Sequence, residues 1–193
     1  MNRFGIVAVL AAASIGGCQQ PPAASTPEMP RAAPAPAQAM AQTPGVTFDR
    51  AAGLELRPCD GEAGPRCMIL SDPSAEDFMR DLLTVQVHAG SLETVAAEEA
   101  GFVRNAEGQL MTTYGRFEPV AVEAFEVNGE SGLRAVVTCG ISDPETGFHA
   151  AAGECLWAVV SDGTQSVVIS SSGFGNGLDA AGTAVRSIRF TPD

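Results

Sequence analysis

Val120–Gly140, VAVEAFEVNGESGLRAVVTCG, decides how the rest of this 193-residue chain is read. Two apolar runs flank Asn128-Gly129, a dipeptide that accepts φ > 0 at both central positions of a tight turn and so predicts a β-hairpin. On the first arm Ala121, Phe125 and Val127 share a face with Glu123, while Val120, Val122 and Ala124 take the other. On the second, Leu133, Ala135, Val137 and Cys139 alternate with Arg134, Val136 and Thr138. A hairpin apolar on both faces is marginal alone in water and needs neighbours on each side.

Working outward, Glu154–Val160 and Gln165–Ser171 form a second hairpin across Ser161–Thr164, with Trp157 and Val159 on one face and Leu156, Ala158 and Val160 on the other. Upstream, Val46–Arg57 reads as one or two strands broken at Ala51–Gly53, and Cys67–Ser71 as another. Ser74, after Pro73, reads as the cap of a short helix ending near Asp81, followed by a strand over Leu82–His88. Ser91–Ala100 is a helix: Ser91 caps it, Glu93 suits its positive end, and Gly101 stops it. A polar turn (Asn105–Gln109) precedes a strand at Leu110–Arg116. Asp179 is the expected cap of a last helix, and Ser187–Phe190 a closing strand. The class is α+β: an antiparallel sheet of meander hairpins flanked by two or three helices.

The first residues have a different character. Arg3, then the apolar Phe4–Ile15, then Ile15-Gly16-Gly17-Cys18, have the layout of a secretory signal over residues 1–17, too short to span a membrane. The tetrapeptide resembles the bacterial lipobox, with Ile where Leu is usual; the resemblance implies that Cys18 is acylated and becomes the mature N-terminus. More than one acyl chain on a cysteine anchors a protein stably. Gln19 in place of Asp resembles the outer-membrane-sorted class, so the expected location is the cell envelope, anchored in the outer membrane and facing the periplasm. Gln19–Gly45 holds 7 of the 13 prolines, with only Glu28 and Arg31 charged. Such a Pro/Ala-rich segment cannot bury enough apolar area to fold, so residues 18–45 read as a tether and 46–193 as the globular domain.

Charge narrows the partners. The net charge is −12 and every one of the 11 basic residues is arginine; from residue 46 onward 9 Arg face 22 Asp and Glu, a balance of −13. Phosphate backbones repel such a domain, so nucleic acid is not an expected partner. The remaining cysteines, in an exported chain, read as disulfides. Of three possible connectivities, Cys59–Cys67 and Cys139–Cys155 are expected, the second because Cys139 ends one strand and Cys155 begins the next, directly opposite at the mouth of a 15-residue loop. Zinc is the weaker reading of Cys139, His149 and Cys155 with Cys59 or Cys67, because C-x₇-C and C-x₁₅-C lie far from the tight spacing of structural zinc sites.

The run LLTVQVHAG, the helix SLETVAAEE, the hairpin FEVNGESGLRAVVTC, then ECLWAVVSDGTQSVVISSS and a terminal helix running into SIRF together resemble the PsbP-like α+β sandwich of a photosystem extrinsic subunit and several bacterial lipoproteins. The four cysteines and the loop at Gly140–Gly153 fall outside that pattern. The resemblance implies a binding or assembly scaffold and not an enzyme. The residues agree. With only His88 and His149, and no G-x-S-x-G elbow, no catalytic residue and no cofactor are assigned. Gly173–Gly177 lacks the Lys-Ser/Thr of a phosphate loop. The leading expectation is a lipid-anchored binding or assembly module with a protein partner in the envelope. The other is an acidic inhibitor of a basic hydrolase such as a lysozyme, acting through Asp143–Glu154.

Overall fold

A computed structural model describes residues 37–59, 66–114, 117–143 and 148–191. The signal segment, Cys18, the tether as far as residue 36, residues 60–65 and Arg116 lie outside the described residues. The fold belongs to the unit Ala35–Asp193.

That unit begins earlier than the composition suggests. Gln38–Thr43 is a strand, β1, paired antiparallel with β2 (Val46–Ala51) from Gln38 opposite Ala51 to Thr43 opposite Val46. The tether reading therefore runs too far, because 38–43 belong to the folded unit. The physical reason is partnership: Val46 and Phe48 are fully buried, and β1 closes over them with its own Ala41 and Thr43 buried. The break at Ala51–Gly53 leads to β3 (Glu55–Pro58) and then β4 (Cys67–Ser71), as the residues predict.

Ser74 does not cap a helix. Its amide and hydroxyl both donate to the Asp72 carboxylate, at 2.9 and 2.6 Å, which holds Asp72–Ala75 as a turn. Beyond this turn the chain makes a single 3-10 turn, Asp77–Met79, with Glu76 at its N-cap position and no side-chain cap bond. β5 (Asp81–Ala89) comes next and contains the expected strand. Helix α1 (Leu92–Glu98) starts as predicted, with Ser91 Oγ accepting from the Thr94 amide. β6 (Val103–Arg104), β7 (Leu110–Thr112) and β8 (Val120–Ala121) form a small sheet of their own, so the strand expected through Arg116 stops at Thr112.

The central hairpin is β9 (Glu123–Val127) and β10 (Glu130–Asp143), turning through Asn128 and Gly129 at φ 52° and 87°. β11 (Phe148–Ser161) and β12 (Gln165–Ser171) follow, then α2 (Gly177–Ser187) and β13 (Arg189–Phe190). Asn176, not Asp179, occupies the N-cap position of α2; Asp179 sits inside its first turn, where its charge suits the helix dipole. β13 pairs with β2 and leaves the main sheet.

Among the described residues the main sheet has seven antiparallel strands in the order β3-β4-β5-β12-β11-β10-β9. It is two meanders joined edge to edge: β5 pairs with β12 because α1 and the β6–β8 sheet form an excursion between them. The alternation read from sequence fixes both faces. Leu83, Val85, Leu156, Ala158, Val160, Val167 and Ile169 pack with Phe48 and with Ala181, Ala184 and Val185 of α2. On the opposite face Val159, Val168 and Trp157 meet Val95, Ala96 and Phe102. Fully burying side chains of this size contributes about 1.5–3 kcal/mol each before entropy is counted, so this two-sided core is the main stabilising term.

Candidate functional site

Beyond β9's pairing with Glu130–Arg134 and β12's with Trp157–Ser161, the β10–β11 pair continues as a two-stranded ribbon. Gly140–Gly153 is thus not the loop expected from its composition. Its arms stay paired from Gly140 opposite Ala151 to Asp143 opposite Phe148, and only 144–147 lie outside the described residues. His149 is opposite Ser142 on that ribbon.

Both expected cysteine pairs stand at bonding distance, with Cα separations of 5.4 Å for Cys59–Cys67 and 5.8 Å for Cys139–Cys155. The second pair departs in register. Cys155 is opposite Val137 and Cys139 opposite Gly153, so the bond crosses the ribbon on a diagonal, beside a bulge between Cys139 and Gly140. The bulge is what brings diagonal positions close. This pair is buried with Ala135 and Val137 under Tyr114 and Trp157, whose rings meet edge to face at 5.7 Å. The Tyr114 hydroxyl donates to the Gly140 carbonyl at 2.7 Å, tying the ribbon base to the loop after β7. These are thiols committed to disulfides, which removes the zinc reading of Cys139 and Cys155; among the described residues no three His, Cys, Asp or Glu gather at metal-binding range.

A groove of about 810 Å³ lies on the α1 face of the sheet, beside the turn end of the central β9–β10 hairpin. Phe102 and Leu133 line it with Leu92 of α1 and Leu110 of β7, and the edge strand β9 contributes Ala124 and Phe125. Charge enters through the exposed Glu93, Arg104 and Glu126. Arg104 is occupied, donating to the Gly108 carbonyl at 2.8 Å, whereas Glu93 and Glu126 have no ion-pair partner among the described residues. Val103 lines the groove and is 57% exposed. An opening of this kind accepts apolar side chains and favours basic neighbours.

Gly132 shapes the opposite, α2 face of the same hairpin, where Phe125 packs against the core cluster. Phe125 stands opposite Gly132 across the central hairpin, and a Cβ at 132 would lie 2.5 Å from its ring. The ring therefore rests on the glycine, with the Arg134 guanidinium 5.3 Å from its centroid.

His88 does not line the groove; it lies 3.3 Å from Gln86 Oε1 and 3.6 Å from Glu99 Oε1, linking β5 to the end of α1. The Gly173–Gly177 run has a packing cause. A Cβ on Gly177 would come within 2.5 Å of the Ser172 carbonyl oxygen and 2.8 Å of that of Leu82, so α2 starts pressed against the ends of two strands. The groove was missed by sequence reading because its walls come from five separate elements, each carrying ordinary apolar residues.

No family model matches this chain, and no curated protein does. The likeness is to solved structures. One is a Bacteroides thetaiotaomicron protein whose crystal structure was determined at 1.50 Å, 7% identical, with a TM-score of 0.47, matched over 82% of this chain and 49% of its own. Another is the solution structure of the cyanobacterial PsbP protein CyanoP from Synechocystis sp. PCC 6803, 14% identical, with a TM-score of 0.46, over 76% of this chain and 87% of its own. The chain spans about half the length of the first. The α+β class stands on the strand order and two helices themselves.

Proposed function

We propose that this chain is a lipid-anchored protein of the cell envelope, facing the periplasm, that acts by binding and not by catalysis, on a PsbP-like scaffold. Its contact site is the groove between α1, β6–β7 and the central hairpin, and its occupant is a short apolar segment of an envelope protein flanked by basic residues. The observation that carries the reading is the groove: about 810 Å³ of largely apolar lining, bordered by two acids without an ion-pair partner among the described residues. The whole-chain charge of −12 favours the same occupant.

The anchor rests on Ile15-Gly16-Gly17-Cys18, and the tether is shorter than composition alone gives. With β1 in the head, Gln19–Ala37 remain, and at about 3.1 Å per residue these extend to at most roughly 60 Å.

A pull-down from envelope extract, comparing the unaltered chain with Leu133→Asp, tests the reading. The expected result is a partner with a basic-flanked apolar segment, released by salt and lost with the variant. Identical capture by both chains would refute the groove as the contact site. The inhibitor reading keeps one observation in its favour, the disulfide-stapled ribbon that extends past its neighbours, with Asp143 ending one arm and Glu145 in the sequence that joins the two. A basic hydrolase recovered equally by the unaltered chain and Leu133→Asp, and lost when residues 144–147 are replaced, selects it.

A further inference from the structure

We propose that β1 pairs with β1 of a second copy, making a two-fold symmetric homodimer through the outer edge of the three-stranded sheet. Three observations lead there. Among the described residues that sheet runs β1-β2-β13, so β1 has a strand partner on one side only. Ala37 O accepts from the Ala52 amide, which fixes the phase of the β1–β2 ladder: Ala39, Ala41 and Thr43 bond toward β2. Gln38, Met40 and Gln42 therefore turn their N–H and C=O groups outward.

The second observation is charge. β3 carries Glu55 and Arg57, β9 carries Glu123 and Glu126, and β13 carries Arg189, while β1 reads QAMAQT with no charge. Charged side chains are the usual means of keeping edge strands apart, and β1 lacks them. Among the edge strands longer than two residues, in a chain of net charge −12, it is the one where a second copy meets least repulsion. Met40, at its middle, is 66% exposed.

The third is self-complementarity. The sequence Pro36-Ala37-Gln38-Ala39-Met40-Ala41-Gln42-Thr43-Pro44 is a palindrome about Met40 except at Ala37 and Thr43. A closed dimer needs an isologous interface, in which residue i meets j and j meets i. Antiparallel pairing about Met40 sets Met40 against Met40, Gln38 against Gln42 and Ala39 against Ala41. Met40 and both glutamines are the outward-bonding residues, so each of those pairs exchanges two backbone hydrogen bonds. Beyond the glutamines the same spacing reaches Pro36 and Pro44 in the sequence, which have no N–H, so the register ends where the palindrome ends. The exposed Gln side chains then face one another for amide hydrogen bonding across the strands.

Cysteine cross-linking of the full chain in a Cys18→Ser background, where the other cysteines are paired, tests the register. Met40→Cys should shift to the dimer mass under mild oxidation, because opposite bonded residues have Cα atoms about 5.5 Å apart, within disulfide range. Gln38→Cys and Gln42→Cys should cross-link when mixed and not singly, since each lies roughly 13 Å from its own counterpart. Met40→Cys behaving like the exposed turn control Glu107→Cys, or Gln38→Cys cross-linking alone as well as in the mixture, overturns the proposal. Sedimentation of the chain without added cysteines is the second measurement. A concentration-dependent dimer, lost in Met40→Pro, which removes an outward N–H and none that bonds to β2, supports it; a monomer at every concentration refutes it.

Discussion

Cys139 and Cys155 are joined across the β10–β11 ribbon on a diagonal, each standing opposite a non-cysteine residue, with their Cα atoms 5.8 Å apart. The bond sits where the ribbon leaves the support of β9 and β12, so it staples the least-supported part of the sheet. An isolated two-stranded hairpin is marginal in water. Replacing both cysteines by alanine should cost about 3 kcal/mol in the chain-entropy picture, and the loss should be local. Hydrogen exchange should accelerate through 135–143 and 148–156 while β5 and β12 stay protected. Uniform acceleration across the main sheet would show that the staple supports the whole fold.

Two glycines near α2 should respond with opposite sign. Gly177→Ala places a Cβ against two backbone carbonyl oxygens and should destabilise by about 1–3 kcal/mol. Gly182→Ala meets only the far end of the Arg186 side chain, at 3.1 Å, and should stabilise by up to about 1 kcal/mol through helix propensity. Chemical denaturation of the two variants checks this, and a shift in the same direction for both would contradict the packing of α2 against the strand ends.

Asp162 makes the second hairpin's turn sensitive to acid. Burial raises its pKa, but the amides of Gln165 and Thr164 and the Thr164 hydroxyl bond its carboxylate and hold it below its ordinary value. A carboxyl depressed in the folded state adds stability above its unfolded pKa and loses it as pH falls through the folded one. Melting temperatures at pH 6 and at about pH 3 should therefore show the unaltered chain ahead of Asp162→Asn at the higher pH, with the gap closing at the lower. A gap independent of pH would leave the charge without a role.

Much of this fold is legible in the residues because side-chain period and turn chemistry act locally. Asn128-Gly129 names its turn, the alternation along Leu133–Cys139 and Leu156–Val160 names both faces, and Ser91 names the start of α1. Three features are not legible, for one physical reason. β1 follows a Pro/Ala-rich run and has no β-branched apolar residue; it is a strand because Val46–Ala51 supplies a partner. Gly140 and Ala150–Gly153 lack strand propensity, yet ribbon pairing and the cystine hold them extended. The groove takes its walls from α1, β6, β7, β9 and β10, a juxtaposition that no window of sequence contains.

The anchor is tested separately from the head. Cys18→Ser should leave an unprocessed or soluble chain, read by fractionation after carbonate or high-salt washing. A variant that still fractionates with membranes would remove the lipoprotein reading while leaving the groove untouched.

The most direct measurement is site-specific photocross-linking in intact envelopes. A photoreactive residue at Val103, in the groove wall, is compared with one at Phe78, which is 63% exposed and outside it. The account predicts a discrete adduct from position 103 that weakens with salt, disappears with Leu133→Asp, and maps to a basic-flanked apolar segment of one envelope protein. Equal labelling from positions 103 and 78, or an adduct at 103 indifferent to Leu133→Asp, would contradict it.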